Sequence, residues 1–313
     1  MEIVVLRKSA HGIPTTEYVS ELQTRLPEHT VRFADTPERE RTFAESADVI
    51  TGITIDETVV ERAEQLELFA CVYAGTGHLP REALSEQGAV ITSAAGVHTS
   101  NAAEHAIGAI LTFARRFHEA VRSDSWQPIS PSELADSTVT IVGLGAIGGG
   151  IARRLEPFDA RTIGVRRRPE DGGPADEVIG ADELHDALAE TDFLVLACPL
   201  TDATHGLISE EELVTLPPDA VVVNIARGPV VDTTALLKAL QEGEIGGAAL
   251  DVTDPEPLPS DHPLWDLDEV IITPHNAGAT PRYYERLADI VADNVERLDS
   301  GEPLRNLVSV GDD

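Results

Sequence analysis

Arg227, Asp251, Glu256 and His275 have residue types that can bind an anion and move a proton, and they recur at comparable places in the chain. In NIARGPVVD, Arg227 follows a buried apolar run and so sits at a strand carboxyl end, where open α/β sheets place their ligands. ALDVTDPEPLP puts Asp251 at the next strand end and Glu256 in the loop beyond, and ITPHNAG puts His275 just after the final strand. A guanidinium offers a planar fork to a carboxylate, and an imidazole exchanges protons near neutrality. Taken singly, each has an ordinary reading: a surface ion-pair arginine, a solvated loop acid, a capping histidine. At consecutive strand ends they could converge on one crevice.

A second set of residues points to a phosphate ligand. Thr138–Val142 is a short β-branched run, as a buried parallel strand should be, and Gly143, Gly145 and Gly148 follow at G-x-G-x-x-G spacing before a helix-like segment. Gly143 suits the tight turn, Gly145 lets a pyrophosphate approach the backbone, and Gly148 lets helix and strand pack closely. The amide groups around Ala146 and Ile147 would face the phosphates at the helix N-terminus.

The elements that must position these groups alternate along the chain. In residues 1–99 the runs EIVVL, TVRFA, DVITGI, LFACVYA and AVITSA read as strands. TTEYVSELQTRL, PERERTFAES, DETVVERAEQ and PREALSEQG between them read as helices. A helix is expected over Asn101–Phe117, rich in small residues, and a proline-containing loop over Ser123–Glu133. Six further strands, TVTIVG, RTIGV, FLVLAC, AVVVNIA, GGAALDV and EVIITP, make a second βαβ series across 138–273. An amphipathic helix over Arg282–Leu298 comes last, with Tyr284, Leu287, Val291 and Leu298 on one face, and the acidic end Gly311–Asp313 reads as frayed. Two α/β domains are expected, 1–99 with 282–313 and 100–281. Both are doubly wound, with a Rossmann-type cofactor domain inserted into a flavodoxin-like one.

Composition narrows the classes. The chain has 313 residues, 55 acidic against 23 basic, and a formal net charge of −32. The sign disfavours nucleic acid as a partner. Dispersed carboxylates with only Lys8 and Lys238 as lysines resemble proteins of salt-accumulating halophiles, where strong screening tolerates self-repulsion. No apolar run approaches the roughly 20 residues of a membrane span, and MEIVVLRKSA lacks a signal-peptide layout, so a cytoplasmic protein is expected. Cys71 and Cys198, far apart in apolar runs, read as buried core thiols, and no metal site is expected. His98 and His105 read as structural, and Trp265 as a core or hinge aromatic.

With the glycine turn, several motifs resemble the D-isomer-specific 2-hydroxyacid dehydrogenase family along nearly the whole chain. They are AGTG at 74–77, HTSNAAEHAIGAIL at 98–111, GLGAIG at 143–148, PLTDATHGLI at 199–208, NIARGPVVD, the DxxxxEP pattern at 251–257 and TPHNAG. The resemblance implies that Arg227 binds the substrate carboxylate and carbonyl, that His275 is the acid/base, and that Glu256 pairs with it. It also implies that Asp251 holds the nicotinamide amide, that Pro199, Thr204 and Ala226 line the cofactor, and that Thr99 lies near its nicotinamide end. The Gly75 and Thr76 backbone would meet the substrate carboxylate.

One departure concerns the cofactor. RTIGVRRRP ends the second strand of the cofactor domain with Arg166, Arg167 and Arg168, where NAD-specific members carry an acid for the ribose hydroxyls. An arginine can pair with a 2′-phosphate that an acid would repel, so NADPH is expected to be preferred, with NADH possible. The expected activity is reduction of a 2-oxo acid to the D-2-hydroxy acid. A glyoxylate or hydroxypyruvate reductase is the runner-up, and a nucleotide-sensing scaffold like the C-terminal-binding co-repressors the reading from another class. Family members are usually homodimers, with the Asn101–Phe117 helix as candidate interface.

Overall fold

The strongest β-formers of the first hundred residues pair into one parallel sheet. In the computed structural model, which describes residues 1–308, they are β1 (Glu2–Leu6), β2 (Thr30–Ala34), β3 (Val49–Gly52), β4 (Leu68–Cys71) and β5 (Val90–Thr92). Their order is β2-β1-β3-β4-β5, and every pairing is parallel. The intervening helices α1 (Thr15–Arg25), α2 (Pro37–Ala44), α3 (Glu57–Val60) and α4 (Arg81–Glu86) cover both faces, which explains why β3 and β4 are buried at every position. The expected helix over DETVVERAEQ shrinks to α3. Its Thr58, Val59 and Val60 are β-branched and propagate a helix poorly, so the chain leaves it in turns.

The chain divides into two compact units, Met1–His98 with the chain from Ala279 on, and Thr99–Gly278. The second opens with α5 (Thr99–Ala114) and α6 (Phe117–Ala120). The single expected helix is broken because Arg116 adopts a left-handed φ of 52°. Then follow β6 (Thr138–Val142), α7 (Ala146–Leu155), β7 (Arg161–Val165), β8 (Glu177–Ile179), α8 (Leu184–Leu188), β9 (Phe193–Leu196) and α9 (Glu210–Thr215). β10 (Val221–Asn224), α10 (Thr233–Glu242), β11 (Gly247–Leu250) and β12 (Val270–Ile272) complete the unit. The sheet order is β12-β11-β10-β9-β6-β7-β8, all parallel, so the order reverses between β6 and β9.

Seven strands stand where the sequence predicts six. The addition, β8, is a three-residue edge strand, too short to show periodicity. It is tied to β7 from the side: Asp176 accepts bonds from the Thr162 amide at 2.8 Å and hydroxyl at 2.7 Å, and Arg161 pairs with Glu177 at 2.9 Å. The small residues of α5 pack it closely on α7. A Cβ on Gly150 would lie 2.8 Å from the Thr99 methyl group.

The last helix, α11 (Tyr283–Ser300), returns the chain to the first unit by burying Tyr283, Tyr284, Leu287 and Val291 with Ile3, Val5, Tyr18 and Leu22. Cys71 and Cys198 are buried, and burial pushes both thiols up, away from reactive thiolates. Of the two readings of Trp265, core and hinge, the first is excluded: about half of it is exposed, and its indole N–H donates to Pro259 O at 2.9 Å. The acidic end Gly311–Asp313 lies outside the described residues. No helix among the described residues is long and apolar enough to cross a membrane.

Candidate active site at the carboxyl ends of the second sheet

All strands of the second sheet run the same way, so their carboxyl ends emerge on one side and carry the motif residues there. Gly143 follows β6 and hydrogen-bonds back to Val165 O at 2.9 Å, with φ of +97°. A Cβ there would lie 2.6 Å from the Cys198 backbone, so only glycine lets the turn pass the end of β9. A Cβ on Gly148 would lie 2.0 Å from Gly143 O, which accounts for the third glycine. Gly145 differs: nothing lies within 4 Å of a Cβ there, and as N-cap of α7 it supplies no side-chain acceptor. The α7 N-terminus therefore presents uncapped amides, including those of Ala146 and Ile147, to open space. That arrangement fits a pyrophosphate.

At the end of β7 the Arg166 guanidinium donates to Gly172 O and reaches Asp171 at 3.2 Å, while Arg167 is exposed. After β9, Thr204 Oγ1 donates to Pro199 O at 2.6 Å and accepts from Thr201 N at 2.8 Å, which closes a turn. After β10, the buried Asn224 side chain folds the next turn: its Oδ1 accepts from Ala226 N at 3.0 Å and its Nδ2 donates to Arg227 O at 3.1 Å. That turn leaves Arg227 exposed, its guanidinium bonded to Ala226 O at 2.6 Å.

The loops after β11 and β12 meet. Glu256 Oε1 lies 2.6 Å from His275 Nδ1, and both side chains are exposed. This contact orients the ring and leaves Nε2 as the nitrogen able to exchange a proton with a ligand. His275 holds a left-handed φ of 50°, which costs about 1–2 kcal/mol in a residue other than glycine. The Asp251 carboxylate offsets that cost. Only 3% exposed, Asp251 accepts from Thr273 Oγ1 at 2.5 Å, Asn276 N at 2.7 Å and Ala277 N at 2.8 Å. Hydrogen bonds to a charged group contribute about 1.5–3 kcal/mol each, so three outweigh one strained dihedral. Asp251 O also accepts from His275 N at 2.9 Å, and Asn101 Nδ2 donates to Ala277 O at 2.8 Å. Asp251 thus spends most of its acceptor capacity on the histidine loop. The supporting Asn101, Thr273 and Asn276 have no signal of their own in the sequence, although they lie inside the quoted motifs.

In the first unit, Gly75 and Thr76 lie in the loop after β4. Gly75 has open space where a Cβ would be, whereas Thr76 is buried and its Oγ1 accepts from Arg81 at 3.0 Å. The second unit also has a hollow of about 870 Å³ lined by Asp136, Arg153, Arg161 and Asp176. It opens at the amino ends of β6 and β7, at the opposite end of the sheet from the motif residues.

A doubly wound sheet with a glycine-lined helix N-terminus at its reversal point, and a histidine–glutamate pair at its strand ends, defines a dinucleotide-dependent oxidoreductase. Residues 107–277 match the NAD binding domain of D-isomer specific 2-hydroxyacid dehydrogenase. The chain is 37% identical over 290 residues to a glyoxylate reductase of Pyrococcus furiosus, covering 87% of this chain and 85% of that one. It is 36% identical over 263 residues to the human glyoxylate reductase/hydroxypyruvate reductase, covering 80% and 79%. A D-isomer specific 2-hydroxyacid dehydrogenase from Xanthobacter autotrophicus, solved with NADPH and MES, superposes with a TM-score of 0.79 at 30% identity, covering 98% of each chain. The chain belongs to the D-isomer specific 2-hydroxyacid dehydrogenase family, an NAD-dependent family of oxidoreductases.

Proposed function

We propose that this enzyme reduces a 2-oxo acid to the D-2-hydroxy acid with His275 as its proton donor. The observation that carries this reading is the 2.6 Å contact between His275 and Glu256 at the strand ends that also bear Arg227. Reduction needs a hydride at the carbonyl carbon and a proton at its oxygen, and bound nicotinamide supplies the hydride. His275 delivers the proton, a contribution of about 10²–10⁴ in rate. Glu256 holds the ring in place, and the exposed Arg227 guanidinium takes the substrate carboxylate and the charge developing on the carbonyl oxygen.

Gly143, Gly145, Ala146, Ile147 and Gly148 form the pyrophosphate cradle. Thr99, Pro199, Thr204, Ala226 and Asp251 line the nicotinamide side, with Asp251 acting largely through the loop it holds. NADPH is the preferred cofactor, because Arg166 and Arg167 stand where an acid would select NADH. A glyoxylate or hydroxypyruvate reductase is the second reading, supported by the names of the Pyrococcus and human relatives. One experiment tests all of this: initial rates on glyoxylate, hydroxypyruvate, pyruvate and longer 2-oxo acids with NADPH and with NADH. Turnover of a longer acid above glyoxylate supports the main reading, and the reverse ranking selects the second. No turnover on any of them rejects both.

The enzyme works as a homodimer in a salt-rich cytoplasm. Every residue from 121 to 133 is exposed, including a fully exposed Trp126 and a largely exposed Val121, and Phe117 just before them is also exposed. Aromatic and aliphatic groups left in water along one arm suit burial by a second copy. Light scattering at high salt checks this: a monomeric mass would reject the dimer.

A further inference from the structure

The loop that carries His275 is fastened from behind, and one of its fasteners is a second histidine with no task in the reaction proposed above. On α5, His105 Nε2 lies 3.2 Å from Thr273 Oγ1, which in turn donates to Asp251 Oδ1 at 2.5 Å. A hydroxyl has one proton, so Thr273 can only accept at its contact with His105. His105 Nε2 therefore carries a hydrogen. The same nitrogen is 3.7 Å from Asp251 Oδ1, beyond hydrogen-bond range, so the threonine is the link between them.

This relay ends on the buried carboxylate that holds the amides of Asn276 and Ala277, the two residues after His275. Thr273 stands two residues before it. The relay thus grips the loop on both sides of a residue in a left-handed conformation, and α5 supplies the outer anchor. We propose that His105 is a positioning residue for His275: its Nε2–H sets the Thr273 hydroxyl towards Asp251, and so keeps the imidazole Nδ1 on Glu256. The proposal rests on the reading of His275 as the proton donor. A histidine that only filled space against the loop would affect stability without changing how the His275 ring is held.

The test compares His105→Phe with His105→Gln in the full chain, on the 2-oxo acid that the wild type reduces fastest. Glutamine keeps a donor near the position of Nε2, and phenylalanine keeps the ring but removes the donor. His105→Phe is expected to lower kcat roughly tenfold or more, as small misplacements of a reacting group do. Its KM for NADPH should stay unchanged, and its kcat–pH profile should differ from that of the wild type as the ring loses its place on Glu256. His105→Gln is expected to restore both kcat and profile. Nitrogen-15 spectra of the free protein should show the His275 signal displaced in His105→Phe and restored in His105→Gln. Wild-type kcat, profile and His275 signal in His105→Phe would overturn the proposal, as would a glutamine variant as impaired as the phenylalanine one. If His105→Phe does not fold, Thr273→Val against Thr273→Ser decides: serine keeps the relay, valine cuts it, and equal kcat and pH profiles overturn it. A wild type inactive on every 2-oxo acid would instead remove the proton-donor reading, and this proposal with it.

Discussion

At the scale of single residues, the site is a set of ordinary side chains whose environments assign them different work. His275→Gln keeps a polar side chain of similar reach but cannot donate a proton as an acid. We expect turnover to fall at least about a hundredfold while NADPH binding, followed by fluorescence, is retained. Near-wild-type turnover at neutral pH would exclude the histidine. Glu256→Gln removes a negative charge 2.6 Å from the ring. The ring then loses the contact that orients it, so kcat for reduction should fall while NADPH binding is retained, and an unchanged kcat would reject the pairing. Arg166→Asp places an acid against any 2′-phosphate, and the ratio of kcat/KM for NADPH to that for NADH should fall. Arg167 is exposed beside it, so the double replacement is the stricter version.

Elements contribute by aiming these residues, and their own fastenings are testable. The Asp176 carboxyl lies below its ordinary range because the Thr162 hydroxyl, and then the Thr162 amide, donate to its charged form. A carboxyl with a lowered folded-state pKa stabilises the fold above its unfolded value of about 3.9 and loses that contribution as pH falls through the folded value. Asp176→Ala should therefore depress the melting temperature at pH 7, and progressively less as pH falls below the unfolded value of about 3.9. An effect that stays constant as pH falls would mean that the carboxylate charge does not fasten β8 to β7. The glycines of α7 are fastenings of another kind. Gly143 and Gly148 are excluded from bearing a side chain by backbone atoms of the turn itself and of the neighbouring strand end, whereas a Cβ on Gly145 would meet nothing within 4 Å.

For the whole molecule the governing quantity is charge. With 55 acidic and 23 basic residues, even complete pairing would leave 32 acids without a partner. The ion pairs present are largely exposed, such as Arg39–Asp35 and Lys238–Glu210, and exposed pairs contribute about 0–1 kcal/mol. They do not offset the repulsion among the rest. Salt does, because the screening length falls from about 10 Å at 0.1 M to about 3 Å at 1 M. We expect activity and folded signal to be lost on dialysis into dilute buffer, and the melting temperature to rise with KCl through the molar range. A melting temperature that is flat or falls across that series would make the acidity incidental.

Much of this protein was legible in the chain itself. Period-two and period-3.6 patterns depend only on near neighbours, so the alternation of strands and helices, the glycine turn and the positions of Arg227, Asp251 and His275 at strand ends could be read directly. The family was legible too, because its motifs recur in order. Tertiary structure decided what meets what. Glu256 and His275, 19 residues apart, come within 2.6 Å because β11 and β12 are neighbours in parallel register. Asp251, expected to serve the cofactor, is buried under the loop that it holds. His105, which reads as a structural residue of its helix, reaches Thr273 across 168 residues. β8 is held to β7 by parallel pairing and by side chains of its neighbours, not through any period of its own, and Trp265, which reads as core or hinge, stays half-exposed. Such contacts arise when loops close over strands already placed by the sheet. Their partners are set by topology and register, which no local repeat encodes.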